Sequence, residues 1–174
     1  MHNHAYEVIP FSVTKEKLRP LLHVAGSIGA NIPVWDIKSK FGDTHMLVVT
    51  MEQGRDLART LGQGSVALMR GHGCVVAAKG LRDVVFTSVY LMVNARIQSE
   101  ASQFGPIEFM TDGEIKLTTE MMFKPVSIDR AWEYWSRRAG GGEAPASTKA
   151  AKPKKARPAP KRTARKAPPA RRRR

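Results

Sequence analysis

The chain has 174 residues and a formal net charge of +14, from 29 Lys+Arg against 15 Asp+Glu. Residues 140–174 hold 13 of the basic residues and one acidic residue, Glu143, so the first 139 residues carry only +2 and the high isoelectric point describes the tail alone. One cysteine, Cys74, excludes an internal disulfide and suits a reducing cytoplasm, and no apolar run is long enough to cross a membrane. A soluble, cytoplasmic protein without a membrane partner is expected, its first 139 residues forming one domain with its own core.

The chain begins with His2-Asn3-His4. On an extended strand an i, i+2 spacing turns both rings to one face. Thr14 to Pro20 is expected to open a short helix, and Leu21 to Gly29 to form a second, with His23 either buried in it and bonded to backbone or, as the alternative, touching the site or its substrate. Ile32 to Asp36 reads as an edge strand, since Pro33 cannot donate within a ladder. Lys38 to Thr44 reads as a polar loop with His45 exposed beyond it, and Met46 to Val49 as a short strand. Thr50 and Gln53 form a capping-box pattern for a helix that stops at Gly62.

Ser65 to Met69 and Val75 to Ala78 are expected strands, and between them lies Arg70-Gly71-His72-Gly73. The glycines leave room on both sides of the imidazole. Such a stretch reads either as a strand-to-strand turn that contains a histidine or as a presented nitrogen ligand. On the second reading, with His2 and His4 on one strand face, His72 would make a three-nitrogen metal site with open positions, as a catalytic zinc has. A long helix follows from about Leu81 to Gln103, with Leu81, Val84, Val85, Val89, Met92 and Val93 as its core stripe and Asn94 mostly off it. Helices are also expected at Thr118 to Met122 and Ile128 to Arg138. This order of elements gives an α/β fold with a mixed β-sheet covered by helices.

His2-x-His4, Val8-Ile9-Pro10-Phe11-Ser12, Gly42-Asp43-Thr44 and Met69-Arg70-Gly71-His72-Gly73 together resemble the C-terminal two-thirds of a class II aldolase/adducin-type domain, from Met1 to about Glu114. That family includes fuculose-phosphate aldolase, ribulose-phosphate 4-epimerase and a branch of decarboxylases. The Arg-Gly-His-Gly form and Tyr90-Leu91-x-x-Asn94-Ala95-Arg96-x-Gln98 are most similar to the decarboxylase branch. The resemblance implies a three-layer αβα fold and a divalent metal on His2, His4 and His72: zinc first, with manganese or another transition metal also suited to imidazole.

It further implies a lyase acting on a small carbonyl or hydroxy-acid substrate, by decarboxylation or retro-aldol cleavage through a metal-stabilised enolate. The site would lie between subunits of a tetrameric homo-oligomer. Family members carry a preceding N-terminal part with substrate loops and an acidic residue. Residues 1–139 therefore read as an N-terminally truncated domain, a fragment with no acid/base residue assigned and its activity left open.

Residues 140–174 begin with Gly140-Gly141-Gly142 and continue as Ala, Pro, Lys and Arg, too poor in apolar bulk to fold. A disordered basic tail is expected. It reads as a solubility extension or as a segment binding nucleic acid without sequence preference, and in the second case the body could be a non-catalytic remnant that serves the tail.

Overall fold

The computed structural model describes residues 1–140, so the expected disordered tail and its nucleic-acid binding lie, apart from Gly140, outside the described residues. The elements in order are β1 (His2–Asn3), a 3-10 turn (Tyr6–Val8), α1 (Ile9–Val13), a 3-10 helix (His23–Ile28), β2 (Val34–Trp35), α2 (Lys38–Phe41), α3 (Met51–Leu61), β3 (Val66–Met69), β4 (Gly73–Val76), α4 (Leu81–Ala101), α5 (Asp112–Met122) and α6 (Pro125–Arg138).

The four strands form one mixed sheet in the order β1-β4-β3-β2. β3 and β4 are an antiparallel hairpin, β1 pairs antiparallel with β4, and β2 runs parallel to β3 on the opposite edge. Alternation along the strands divides the side chains between two layers. Val66, Leu68, Cys74 and Val76 pack with Val8, Phe11, Ile28, Leu91 and Ala95 on one face, while Met69 packs with Trp35, Ile37 and Leu57 of α3 on the other. Both faces are thus covered, which is why β3 reads as an unbroken apolar run. The mixed sheet with helices on each side is the architecture expected from the sequence.

Several local expectations fail for identifiable reasons. The first helix lies earlier than expected, over Ile9–Val13, because Thr14 is extended and its hydroxyl donates back to the Pro10 carbonyl. His23 is exposed, not buried. Lys38–Phe41 is one helical turn in place of a loop. Met46 to Val49 is irregular: Met46 has φ 63°, and the Val49 and Thr50 amides both donate to Gln53 Oε1.

The capping box on Thr50 and Gln53 is present, and an unanticipated one on Thr111 and Glu114 starts α5. α4 is rotated relative to its expected stripe. It buries Phe86, Thr87, Leu91, Asn94, Ala95 and Gln98, whereas Leu81 and Met92 are exposed. The buried amides satisfy an irregular segment that has no ladder partner. Asn94 accepts from the Leu21 amide and donates to the Arg19 carbonyl; Gln98 accepts from the Arg19 amide and donates to the Lys17 carbonyl.

Candidate metal centre

Two structural units meet at the centre: the free edge strand β1 and the turn of the β3–β4 hairpin. The hairpin turn is Arg70-Gly71-His72, with Gly71 at φ 61° and the His72 amide donating to the Met69 carbonyl. The stretch is the strand-to-strand turn that one of the two sequence readings expects, and the His72 ring stands at its tip beside β1. β1 is secured at its beginning: the Met1 amino group donates to the Val76 carbonyl at 2.7 Å, and the Val76 amide donates to the Met1 carbonyl at 2.8 Å.

Gly73 makes this seating possible. A Cβ there would fall within contact distance of the Asn3 carbonyl oxygen and 3.2 Å from both Asn3 C and His4 Cα. Register pairs His2 with Val75 and Asn3 with Cys74, which puts His2 on the Val75 side of the sheet and Asn3 on the Cys74 side. Asn3 then ties the strand end together, its Oδ1 accepting from the Ala5 amide and from Cys74 Sγ. Burial pushes the Cys74 thiol up to about 11, against a smaller opposing effect of the Asn3 bond.

The structure brings His2, His4 and His72 together, with one ligand-capable atom of each within 4.8 Å of the others. His4 Nε2 stands 2.9 Å from His2 Nε2 and 3.1 Å from His72 Nε2. Their second nitrogens are separately engaged: His2 Nδ1 meets the Cys74 carbonyl and His72 Nδ1 the Met46 carbonyl, each at 2.9 Å. A carbonyl oxygen can only accept, so in both rings Nδ1 carries a proton, and in the neutral form of each ring the lone pair is on Nε2.

Two lone pairs therefore face His4 Nε2, which has one proton at most to share between them. The two distances from His4 Nε2 match the spacing of metal ligands, since ligands about 2.0–2.1 Å from a metal stand roughly 2.9–3.4 Å apart in octahedral or tetrahedral geometry, and all three ligand atoms lie within 4.8 Å of one another. Carbonyl acceptors on the outer nitrogens are also what metal-binding imidazoles use to fix their orientation. Partial desolvation of the exposed-edge ring is the main cause that lowers the His2 pKa from 6.5, with His72, His4 and the amino terminus adding to it and the Cys74 carbonyl opposing it. The neutral ring that a cation needs is thereby favoured.

The turn is held from two further directions. Ser12 donates to the Ile9 carbonyl and accepts from the Gly71 amide at 3.0 Å. Arg70 Nε lies 2.8 Å from Asp36 Oδ1 in an ion pair, and the Arg70 guanidinium is the main reason that the Asp36 carboxyl lies below its usual value. The supporting carbonyls of Cys74 and Met46 have no signature in a sequence, because every residue carries one. Ser12 and Asn3 could be found only by knowing what lies opposite them.

The family model described as the Class II Aldolase and Adducin N-terminal domain matches residues 1–99. Decarboxylase tropJ of Talaromyces stipitatus is 29% identical over 164 residues, covering 82% of this chain and 61% of that protein. L-fuculose 1-phosphate aldolase superposes with a TM-score of 0.57 at 20% identity, covering 70% of this chain and 53% of the other. An aldolase II superfamily protein from Pseudomonas syringae gives 0.60 at 19% identity, over 79% and 54%. The chain thus spans less than two thirds of each of these relatives, and at such identities the solved structures show a shared fold.

Proposed function

The chain belongs to the class II aldolase and adducin N-terminal domain family, and from that premise we propose that it is a metal-binding lyase subunit that cleaves a carbon–carbon bond in a small carbonyl or hydroxy acid. The observation that carries this reading is the convergence of His2, His4 and His72 through Nε2, with Nδ1 of His2 and His72 donating to carbonyls. Decarboxylation is preferred to retro-aldol cleavage because of the likeness to a decarboxylase. A divalent cation, when bound, supplies a Lewis acid toward which negative charge on a substrate oxygen develops as the bond breaks.

The protein's own part is positional. Three neutral imidazoles leave coordination positions open, and the Cys74 and Met46 carbonyls keep the lone pairs aimed inward. His2 and His4 are exposed and His72 half-buried, so a small substrate can reach the centre from solvent. Zinc is the expected metal, with manganese or another transition ion as the alternative. Assembly into a homo-oligomer is part of the proposal, supported by the exposed Leu81 and Met92 on α4 and Tyr134 on α6. Among the described residues no helix is long and apolar enough to cross a membrane.

The test is metal content and cleavage together. The full chain should hold about one zinc or manganese per three-histidine site, His4→Ala and His72→Ala should lose it, and carbon dioxide or aldehyde release from a panel of hydroxy and keto acids should stop with chelator and return with metal. Equal metal content in wild type and both variants would overturn the metal site. Release that survives chelation would overturn the mechanism.

A further inference from the structure

Met46 is the non-glycine residue with positive φ, 63°, among the described residues. A methionine is held in the left-handed region only where its surroundings impose it, and here they are visible. The Met46 amide donates to Thr44 Oγ1 at 3.0 Å, the Leu47 amide to His45 Nδ1 at 3.2 Å, and the Val49 and Thr50 amides to Gln53 Oε1 at 2.8 and 3.0 Å. Among the described residues, 43–49 make no backbone–backbone hydrogen bond. Side chains alone shape the loop, and its apolar members Leu47 and Val49 are exposed. No core explains the strain.

The strained turn delivers one thing. It points the Met46 carbonyl at His72 Nδ1, 2.9 Å away, while the Met46 side chain covers Gly71, its Cε 3.3 Å from where a Cβ on that glycine would stand. His2 receives the same service from Cys74, but there the carbonyl belongs to a paired strand. His72 has no ladder to orient its ring and depends on the loop.

We propose that Met46 is a positioning residue for the histidine centre: its left-handed backbone fixes His72 as the Nδ1–H tautomer and so keeps the Nε2 lone pair directed at His4. The role rests on the metal-site reading, and it predicts an order among substitutions. Met46→Gly keeps positive φ at no steric cost. Met46→Ile places a β-branched residue where such residues are outliers. Met46→Pro fixes φ near −65° and turns the carbonyl away.

The experiment uses the full 174-residue chain and two readouts: the tautomer of His72 in metal-free protein by ¹⁵N NMR of the imidazole, and zinc affinity by competition with a chromophoric chelator. Wild type and Met46→Gly should show the Nδ1–H tautomer and bind zinc within about threefold of each other, whereas Met46→Pro should show mixed tautomers and bind about 10–100-fold more weakly. Met46→Ile should fall between them, and it decides the matter if circular dichroism shows the proline variant unfolded. Mixed tautomers in wild type, or an unchanged tautomer and affinity in the weakest folded variant, would overturn the proposal. A wild-type tautomer that is lost in the variants, in a protein that binds no zinc, would uphold the positioning role and sink the metal reading instead.

Discussion

Gly73→Ala is the substitution that most directly probes how the centre is assembled. The added methyl meets Asn3 C and His4 Cα at 3.2 Å, and the Asn3 carbonyl oxygen more closely still, where carbon atoms in good contact stand about 3.5–4.0 Å apart. All three neighbours are backbone, so no side chain can rotate away, and β1 must retreat from β4 by roughly 1 Å, on the scale of misplacement that costs about 100-fold at a reacting centre. Overpacking of this kind costs about 1–3 kcal/mol. Stretching the His2–Cys74 bond beyond its 2.9 Å adds about 1 kcal/mol. The sum, about 2–4 kcal/mol, corresponds to a fall in Tm of roughly 5–15 °C for a chain of this size.

His2 and His4 move with β1 while His72 stays with the hairpin, so zinc affinity should fall by at least about 100-fold, beyond what loss of a supporting contact alone produces. Calorimetry and chelator competition read the two effects. Gly71→Ala is the comparison: its φ of 61° makes alanine cost about 1–2 kcal/mol, yet the nearest atom is the flexible Met46 Cε at 3.3 Å, so zinc binding should change far less. A Gly73→Ala protein that melts within about 2 °C of wild type and binds zinc within about threefold of it would show that β1 is not seated on β4 in this way.

Other outcomes are expected away from the strand contact. Asn94→Leu should lower stability by about 1–3 kcal/mol, because it removes the buried partner of the part-buried Leu21 amide and Arg19 carbonyl; urea titration measures this, and a neutral result would refute the role assigned to the buried amide. Cys74 should resist iodoacetamide at neutral pH and react only on unfolding, since the thiol is fully buried and its pKa is raised to about 11. The pH dependence follows from His2, whose folded pKa is lowered from 6.5, chiefly by partial desolvation. Its contribution to stability is present above 6.5 and is lost as pH falls from there through the lower folded value, so the Tm of metal-free protein should drop on acidification, and less so in His2→Gln. An identical acid response in the variant would assign the effect to other groups.

The comparison of residues with structure divides along the range of the interactions. Thr50 and Gln53 announce the start of α3 because both partners of the capping box lie within one turn. Pro33 announces an edge strand, and the glycines around His72 announce a turn, for reasons equally local. The rotation of α4 was not legible. Its valines with Leu81 and Met92 form a credible stripe, but Asn94 and Gln98 face inward because the backbone at residues 17–21 needs donors and acceptors from outside its own segment. Met46 to Val49 misleads for a similar reason. Its composition suits a strand, whereas Gln53 and Thr44 take its amides away from any ladder.

By itself, the sequence determined the class of fold and the residue types from which a nitrogen-donor centre could be made. Those properties depend on periodicity and chemical identity, which are written residue by residue. The expectation that one strand carries both His2 and His4 does not hold, because β1 ends at Asn3 and His4 lies just beyond it. Tertiary structure decided that His72 stands within 3.1 Å of His4, that the Cys74 and Met46 carbonyls take the Nδ1 protons, and that a glycine permits the approach of β1. Each depends on two segments meeting across 26 positions of chain, as Met46 and His72 do, or across 68 or more, as His4 and His72 or His2 and Cys74 do, and backbone atoms common to every residue carry no sequence mark of such a meeting.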